Sequence, residues 1–412
     1  MFSKIPRILS EPIRFFVYGL MALVLILVII RFQGLRLAFE TVTPEETHPI
    51  VGIQFDPKGE VRPLEQNFPL DAVPQNVVYM IGDGMGHAHV LAARAELVGL
   101  DGRLAMEQMP VSGWVDTRAR TSLGNDSAGG ATALATGVKV RPGRLSLNRE
   151  DEVLRTLAEE AIAHGLEVGL VTDSYLWDAT TAAFVTHVEK RGERAIVAAQ
   201  MATSGVSFMA GTLPRGYPPA GENWDKVVAD LEKNHFTLAR QWNELLEAGP
   251  GPAAALFDYG VIANSGQAPN LEDLATLAID RLDIDRGFFL VFEGEEIDTA
   301  SHRHDWLRLM AGMENFDHAI GRILDFAMRD RETLVIVTAD HECGGLHLHH
   351  AGPGKPLEIT WSSTGHTALP VPLYAYGPGA ERFAGVHDNT EIAQKLADLM
   401  GWTIGKVDES TE

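Results

Sequence analysis

NVVYMIGDGMG, residues 76–86, is an apolar run that ends in an acid set between glycines. Short apolar runs without polar alternation suit strands buried on both faces. The same form recurs in EVGLVT (167–172), FFLVFE (288–293), TLVIVT (333–338) and VPLYAY (371–376). Helix-like segments lie between them at 151–164, 305–329 and 388–400. This alternation predicts an α/β domain with a mostly parallel central β-sheet and helices on both faces. The stretch 205–280 has several Gly-Pro turns and the helical-looking DKVVADLEKNHFTLARQWNELLEA (225–248), and reads as an elaboration of the same domain. There is no internal repeat and no low-complexity tract.

The ends of these runs carry the chemistry. Asp83 follows the first; VTDSYLWDAT leads to Asp178 and Thr180; FFLVFEGEEID holds Glu293 and Asp298; LVIVTADHE ends in Asp340 and His341. Open α/β sheets bind ligands beyond the carboxyl ends of their strands. Acids converging there repel one another unless a cation sits between them. A single Asp after a strand is an ordinary turn residue, but four such coincidences make that reading poor. Asp298 and His302 are spaced i, i+4, one face of a helix, and His366 in SSTGHTALP adds a further nitrogen. Mixed histidine and carboxylate ligands suit zinc, whereas the oxygen-only set Asp83, Thr180 and Glu293 suits magnesium. Together they describe a multi-metal hydrolytic site, in which two metals can flank a transferring phosphoryl group.

GNDSAGGATALATGVKV, residues 124–140, reads as a loop turning into a tightly packed helix. Asn125 and Asp126 supply cap-type side chains, and Ala128, Gly129, Gly130 and Ala131 permit a close approach. Ser127 taken alone is a helix cap. Its position also faces free N–H groups and the positive end of a helix dipole, where an anion or alkoxide is stabilised.

Composition narrows the classes. A net charge of −22 over 412 residues argues against nucleic acid as a partner and requires locally concentrated positive charge for any anionic substrate. With Cys343 the only cysteine, no intramolecular disulfide and no cysteine-rich zinc module can form. FFVYGLMALVLILVII (15–30), flanked by Arg14 and Arg31 and preceded by Lys4 and Arg7, predicts an N-terminal transmembrane helix within an anchor segment 1–34. No small-x-small cleavage pattern follows it, which favours an uncleaved anchor over a signal peptide and secretion. Residues 35–75 read as a stalk or arm and 76–412 as the catalytic domain, on the exported side of the membrane.

In their order, GDGMG, NDSAGGATALATGVK, DATTAAFVTHVEKR, EGEEIDTASH, TADHE and TGHTALPVPLYAYGPGA closely resemble the alkaline phosphatase family over about residues 75–400. The resemblance implies an alkaline phosphatase-like three-layer fold and phosphomonoester hydrolysis of broad specificity through a phosphoserine at Ser127. It implies one Zn2+ held by Asp298, His302 and His366 and a second held by Asp83, Asp340 and His341. It further implies one Mg2+ held by Asp83, Thr180 and Glu293, with Asp178 reaching it through water. Arg191, eleven residues after Thr180, falls where the family has its phosphate-clamping arginine; Arg194 lacks that spacing. Homodimers are common in the family, and the N-terminal arm could support one. Thr299 departs from relatives that carry Lys, His or Trp near the phosphate. Cys343 reads as a buried filler rather than a soft ligand, His347, His349 and His350 as histidines outside the metal set, and Trp114, Trp177, Trp306 and Trp361 as core or rim packing. The alternatives are a phosphodiesterase of the same superfamily, which usually has a threonine nucleophile, and an inactive phosphate- or metal-binding protein anchored in the membrane.

Overall fold

Each predicted apolar run is a strand. The strands are β1 (Asn76–Gly82), β2 (Val111–Asp116), β3 (Glu167–Tyr175), β4 (Phe208–Thr212), β5 (Thr237–Ala239), β6 (Ala253–Phe257), β7 (Phe288–Gly294), β8 (Thr333–Thr338), β9 (Glu342–Cys343), β10 (Leu346–Leu348), β11 (Ile359–Trp361), β12 (His366–Thr367), β13 (Val371–Tyr376) and β14 (Gly385–Asp388). The computed structural model describes residues 64–213, 224–262, 269–282, 284–349 and 357–405. The anchor 1–34, the arm up to residue 63 and His350 lie outside them. Among the described residues no helix is long and apolar enough to cross a membrane.

Ten strands form one sheet in the order β14-β2-β13-β8-β1-β7-β3-β4-β6-β5. Every pairing is parallel except those of β13, which runs antiparallel to β2 and β8. β1, β7 and β8 are buried along their whole length, which is why they lack polar alternation. β2 instead buries Val111, Gly113 and Val115 and exposes Ser112, Trp114 and Asp116.

Two sets of helices cover the sheet. One set contains His87–Ala93, Leu271–Arg281, Glu296–His302 and the 25-residue Trp306–Asp330, which pack on one another and on β1, β7 and β8. The other contains Ser127–Thr136, Leu157–Ala163, Ala179–Ala182 and Asn389–Met400. From Leu64 onward the predicted arm runs against the domain: Leu64 N donates to Gln108 O at 3.2 Å and Gln75 N to Glu332 O at 2.9 Å.

Two expectations need correction. The helix expected over 151–164 starts only at Leu157, because Thr156 and Glu159 form a capping box there and Asp151 sits at φ 65. Residues 225–248 are not one helix: Trp224–Lys233 ends before His235, which adopts φ 65. The chain then adds β5 at the sheet edge before the helix Trp242–Glu247.

Candidate active site

β1, β7, β8 and β3 are adjacent, so their carboxyl ends deliver Asp83, Glu293, Asp340 and the Tyr175–Thr180 turn to one place. Gly84, at φ 73, turns the chain beyond β1; a Cβ there would lie 2.8 Å from Asp298 Oδ1. The helix Glu296–His302, directly after β7, carries Asp298 and His302 on one face.

The ligand-type residues form two groups. In the first, Asp298 Oδ2 lies 3.1 Å from His302 Nε2 and Asp298 Oδ1 3.5 Å from His366 Nε2. The two Nε2 atoms are 3.0 Å apart. His302 Nδ1 faces Thr364 O at 2.6 Å and His366 Nδ1 faces Asn125 O at 2.7 Å. Protonated Nδ1 atoms donating to those carbonyls leave both Nε2 lone pairs aimed at each other and at the carboxylate. In the second group, His341 Nε2 lies 3.3 Å from Asp83 Oδ1 and 3.4 Å from Asp340 Oδ2. Four atoms bound tetrahedrally at about 2.0–2.1 Å from one zinc lie about 3.3–3.4 Å apart; the second group has that spacing and the first, at 3.0–3.5 Å, brackets it.

Orphaned atoms make the same point. Asp83 Oδ1, Asp298 Oδ1, Asp340 Oδ2 and Glu293 Oε2 are buried without hydrogen-bond partners. Such atoms are costly unless a cation satisfies them. Burial, then the Asp340 and Asp298 carboxylates, pushes Asp83 well above the usual range. Burial lifts Glu293 to about 8 and Asp340 to about 7. Burial also pushes His341 well below its ordinary value, so its imidazole is neutral. The residues present therefore fit divalent ions in both groups.

The predicted magnesium set is brought together more loosely. Thr180 Oγ1 donates to Asp83 Oδ2 at 3.3 Å, and Glu293 feels Asp178. Asp178 is engaged elsewhere: its Oδ1 accepts from Arg191 at 2.7 Å and from the Tyr175 hydroxyl at 2.8 Å.

Ser127 is not the cap of its helix. Asp126 is, accepting from Gly129 N at 2.9 Å, and Ser127 is the first helical residue. Its Oγ lies 3.4 Å from His341 Nε2. Arg191 reaches the preceding residue, 3.5 Å from the Asp126 carboxylate, and pairs with Asp178. Arg194 lies over the Tyr175 ring at 4.9 Å and is not part of the cluster. Cys343 joins the first ligand group in position, but its Sγ only approaches Asp298 O at 3.8 Å and burial pushes its thiol far up, which keeps it protonated. His347 and His349 are exposed. Trp177, Trp306 and Trp361 are buried, while Trp114 is exposed against His87.

Sequence reasoning missed Asp126 as more than a cap; it also accepts from Gly143 N at 2.9 Å, so one carboxylate fixes helix, loop and arginine. It also missed Asp173 and Glu295. Asp173 Oδ1 accepts from Glu295 N at 2.6 Å, and Thr299 Oγ1 donates to Glu295 Oε1 at 2.6 Å. Burial, then Asp173 and Asp178, drives Glu295 well above the carboxylate range, so acids cluster beside the site. The adjacent acids in EGEEID were the available signal.

With this geometry in view, the comparisons are direct. The alkaline phosphatase family model matches residues 74–212, 255–357 and 354–401. The streptomycin-6-phosphate phosphatase of Streptomyces griseus is 32% identical, over 80% of this chain and 91% of its own length. Alkaline phosphatase 4 of Bacillus subtilis is 28% identical, over 79% of this chain and 88% of its own. The solved alkaline phosphatase of the Antarctic bacterium TAB5 superposes with a TM-score of 0.73 at 29% identity, covering 80% of this chain and 99% of that one. A mutant of that enzyme has been solved with Mg bound in its M3 site. The chain belongs to the alkaline phosphatase family. It is a phosphoesterase, and its two ligand groups lie at the carboxyl ends of the central strands.

Proposed function

We propose that this enzyme hydrolyses phosphomonoesters of broad structure through a phosphoserine at Ser127. The observation that carries the reading is the position of Ser127 Oγ, at a helix N-terminus 3.4 Å from His341 of the Asp83–Asp340–His341 group and next in sequence to Asp126, which Arg191 contacts. Asp298, His302 and His366 would hold one zinc, Asp83, Asp340 and His341 a second, and Asp83, Thr180 and Glu293 a magnesium ion with Asp178 outside it. Bound there, the ions would supply positive charge to the phosphoryl oxygens and lower the pKa of oxygen nucleophiles.

The chain's own groups do the rest. Asp126 and Asp178 hold the Arg191 guanidinium in place, and its planar fork can donate to two phosphoryl oxygens. Ser127 is fixed by the helix it begins, so its Oγ needs no reorganisation to meet phosphorus. Free N–H groups of that helix face the negative charge of the phosphoryl group. Neutral His341 leaves the Ser127 hydroxyl without a competing positive donor. A phosphoserine formed there is hydrolysed by water that attacks phosphorus opposite Ser127 Oγ, on the side the alcohol left, and Ser127 Oγ departs and regains a proton, so that two displacements occur in succession.

Hydrolysis of p-nitrophenyl phosphate by the full chain tests this, with bis-p-nitrophenyl phosphate as the diester control. Monoesterase activity that chelator abolishes, zinc plus magnesium restores, and both Ser127→Ala and Arg191→Ala cripple is the expected result. Preferential diester turnover indifferent to Arg191 would move the assignment to a phosphodiesterase. Phosphate retention with no turnover would leave a binding protein.

A narrower reading has its own observation. Asp173 and Glu295, acids beside Thr299, are pushed toward their neutral forms by burial, and a cationic leaving group would be favoured there because it draws them back to their charged forms. Streptomycin 6-phosphate, the substrate in the name of one relative, is the probe for this reading. A kcat/KM advantage over a neutral sugar phosphate that Glu295→Gln removes would support it; equal rates would not. We also propose that residues 15–30 anchor the enzyme with its catalytic domain on the exported face, which carbonate extraction and protease accessibility test. A homodimer is tested by light scattering.

A further inference from the structure

A second pocket, of about 270 Å3, lies beside the loop that carries Gly143. Arg120, Arg141, Arg144 and Arg149 line it together with Thr121 and Asn148. Four guanidinium groups in so small a space repel one another unless anions answer them, and the chain as a whole carries a net charge of −22. The protein answers only two. Arg141 pairs with Glu189 at 2.7 Å and Arg144 with Asp151 at 2.7 Å. Arg120 and Arg149 are exposed and pair with no described acid. The Arg144 side chain is 5% exposed, yet its Nε has no hydrogen-bond partner. Its Nη1 donates to Asn148 O and its Nη2 pairs with Asp151, so Nε is the one donor of that guanidinium left without an acceptor.

We propose that this pocket is an accessory binding site for a compact oxyanion of the phosphate class, either free phosphate or a second phosphoryl group on the substrate. Guanidinium forks match tetrahedral oxyanions in geometry as well as charge. The pocket is tied to the nucleophile helix. Thr132 Oγ1 donates to Arg144 O at 3.1 Å, and Ser146 N donates to Thr132 Oγ1 at 3.0 Å. Gly143, next to Arg144, donates to Asp126, and its carbonyl accepts from Arg191 N at 2.8 Å. An anion held here thus rests on the same loop that supports the candidate phosphate clamp. The site itself needs no turnover; its connection to substrate rests on the monoesterase reading above.

Equilibrium dialysis of the metal-loaded full chain against labelled inorganic phosphate tests the site. Two phosphates are expected in the wild type, one in R120A/R149A, and one in S127A/R191A, with the lost site weakened at least tenfold. Both arginines are exposed, and a thermal melt verifies folding. The kcat/KM ratio for propane-1,3-diyl bisphosphate over propyl phosphate separates the sources. A fivefold or greater fall of that ratio in R120A/R149A identifies a second phosphoryl group, and an unchanged ratio identifies free phosphate. A single phosphate in the wild type, lost in S127A/R191A and retained in R120A/R149A, would overturn the proposal. A single phosphate lost only in R120A/R149A would keep this site and defeat the monoesterase reading instead.

Discussion

Gly130→Ala tests whether the small residues after Ser127 serve close approach. A Cβ at Gly130 would meet Asp340 O at 2.6 Å, Asp340 Cβ at 2.9 Å and Asp340 C at 3.0 Å. An ordinary carbon–oxygen contact is about 3.3–3.6 Å, so something must move by about 0.7 Å or more. Asp340 follows β8 in the middle of the sheet and cannot yield easily. The start of the helix moves instead, and Ser127 Oγ moves with it, away from its 3.4 Å approach to His341. Overpacking of this kind costs about 1–3 kcal/mol, and a 1 Å misplacement of a reacting group costs about 100-fold in rate. The expected result is a kcat on p-nitrophenyl phosphate lower by about 10- to 100-fold, with a lower melting temperature. Gly249→Ala is the control, since nothing lies within 4 Å of its Cβ position. A Gly130→Ala enzyme with wild-type kcat and melting temperature would refute the close-approach argument.

Other outcomes follow from the same contacts. Arg191→Ala should lower kcat/KM by about 100- to 1,000-fold, the loss of charge-assisted hydrogen bonds of about 1.5–3 kcal/mol each. Asp126→Ala should cost about 1 kcal/mol of stability as a lost cap, read by urea unfolding, and should reduce kcat/KM less than Arg191→Ala does. In the chelated protein Glu293 and Asp340 are raised to about 8 and about 7, and the Asp298 hydrogen bond raises His302 to about 9. All three are raised above their unfolded values, so their stabilisation is complete at low pH and is lost as pH rises through the folded values. The chelated protein should therefore melt progressively lower from pH 5 to pH 9, while zinc and magnesium flatten that slope; equal slopes would count against metal binding at these groups. Phe292→Ala, at a fully buried position in β7, should cost about 3–5 kcal/mol in urea unfolding.

The five central strands were legible because burial on both faces leaves an unbroken apolar run, as in Thr333–Thr338. β4 (FMAGT) and β6 (AAALF) were not, because Ala and Gly carry little strand preference and the runs are short. β5, only three residues long, was hidden in a helix-like pattern. The start of the helix at Leu157 was readable from Thr156 and Glu159, a capping signal that the apolar pattern around it obscured. Most site residues could be read because each follows a strand. Asp126, Asp173 and Glu295 could not be ranked, since their roles depend on partners distant in sequence: Arg191, the Glu295 amide and Asp178.

The ligand-type residues begin at Asp83 and end at His366, and none of the three sets can be completed from one contiguous segment. A chain that has been synthesised or folded only as far as β7 holds Asp83, Ser127 and Arg191 but lacks Asp298, His302, Asp340, His341 and His366. With Thr180 and Glu293 it also holds the set proposed for magnesium, but it completes neither of the sets proposed for zinc. On the reading proposed above, activity would therefore wait for β8 and for β12, the short strand that begins at His366, and copies truncated before them would carry out no stray hydrolysis.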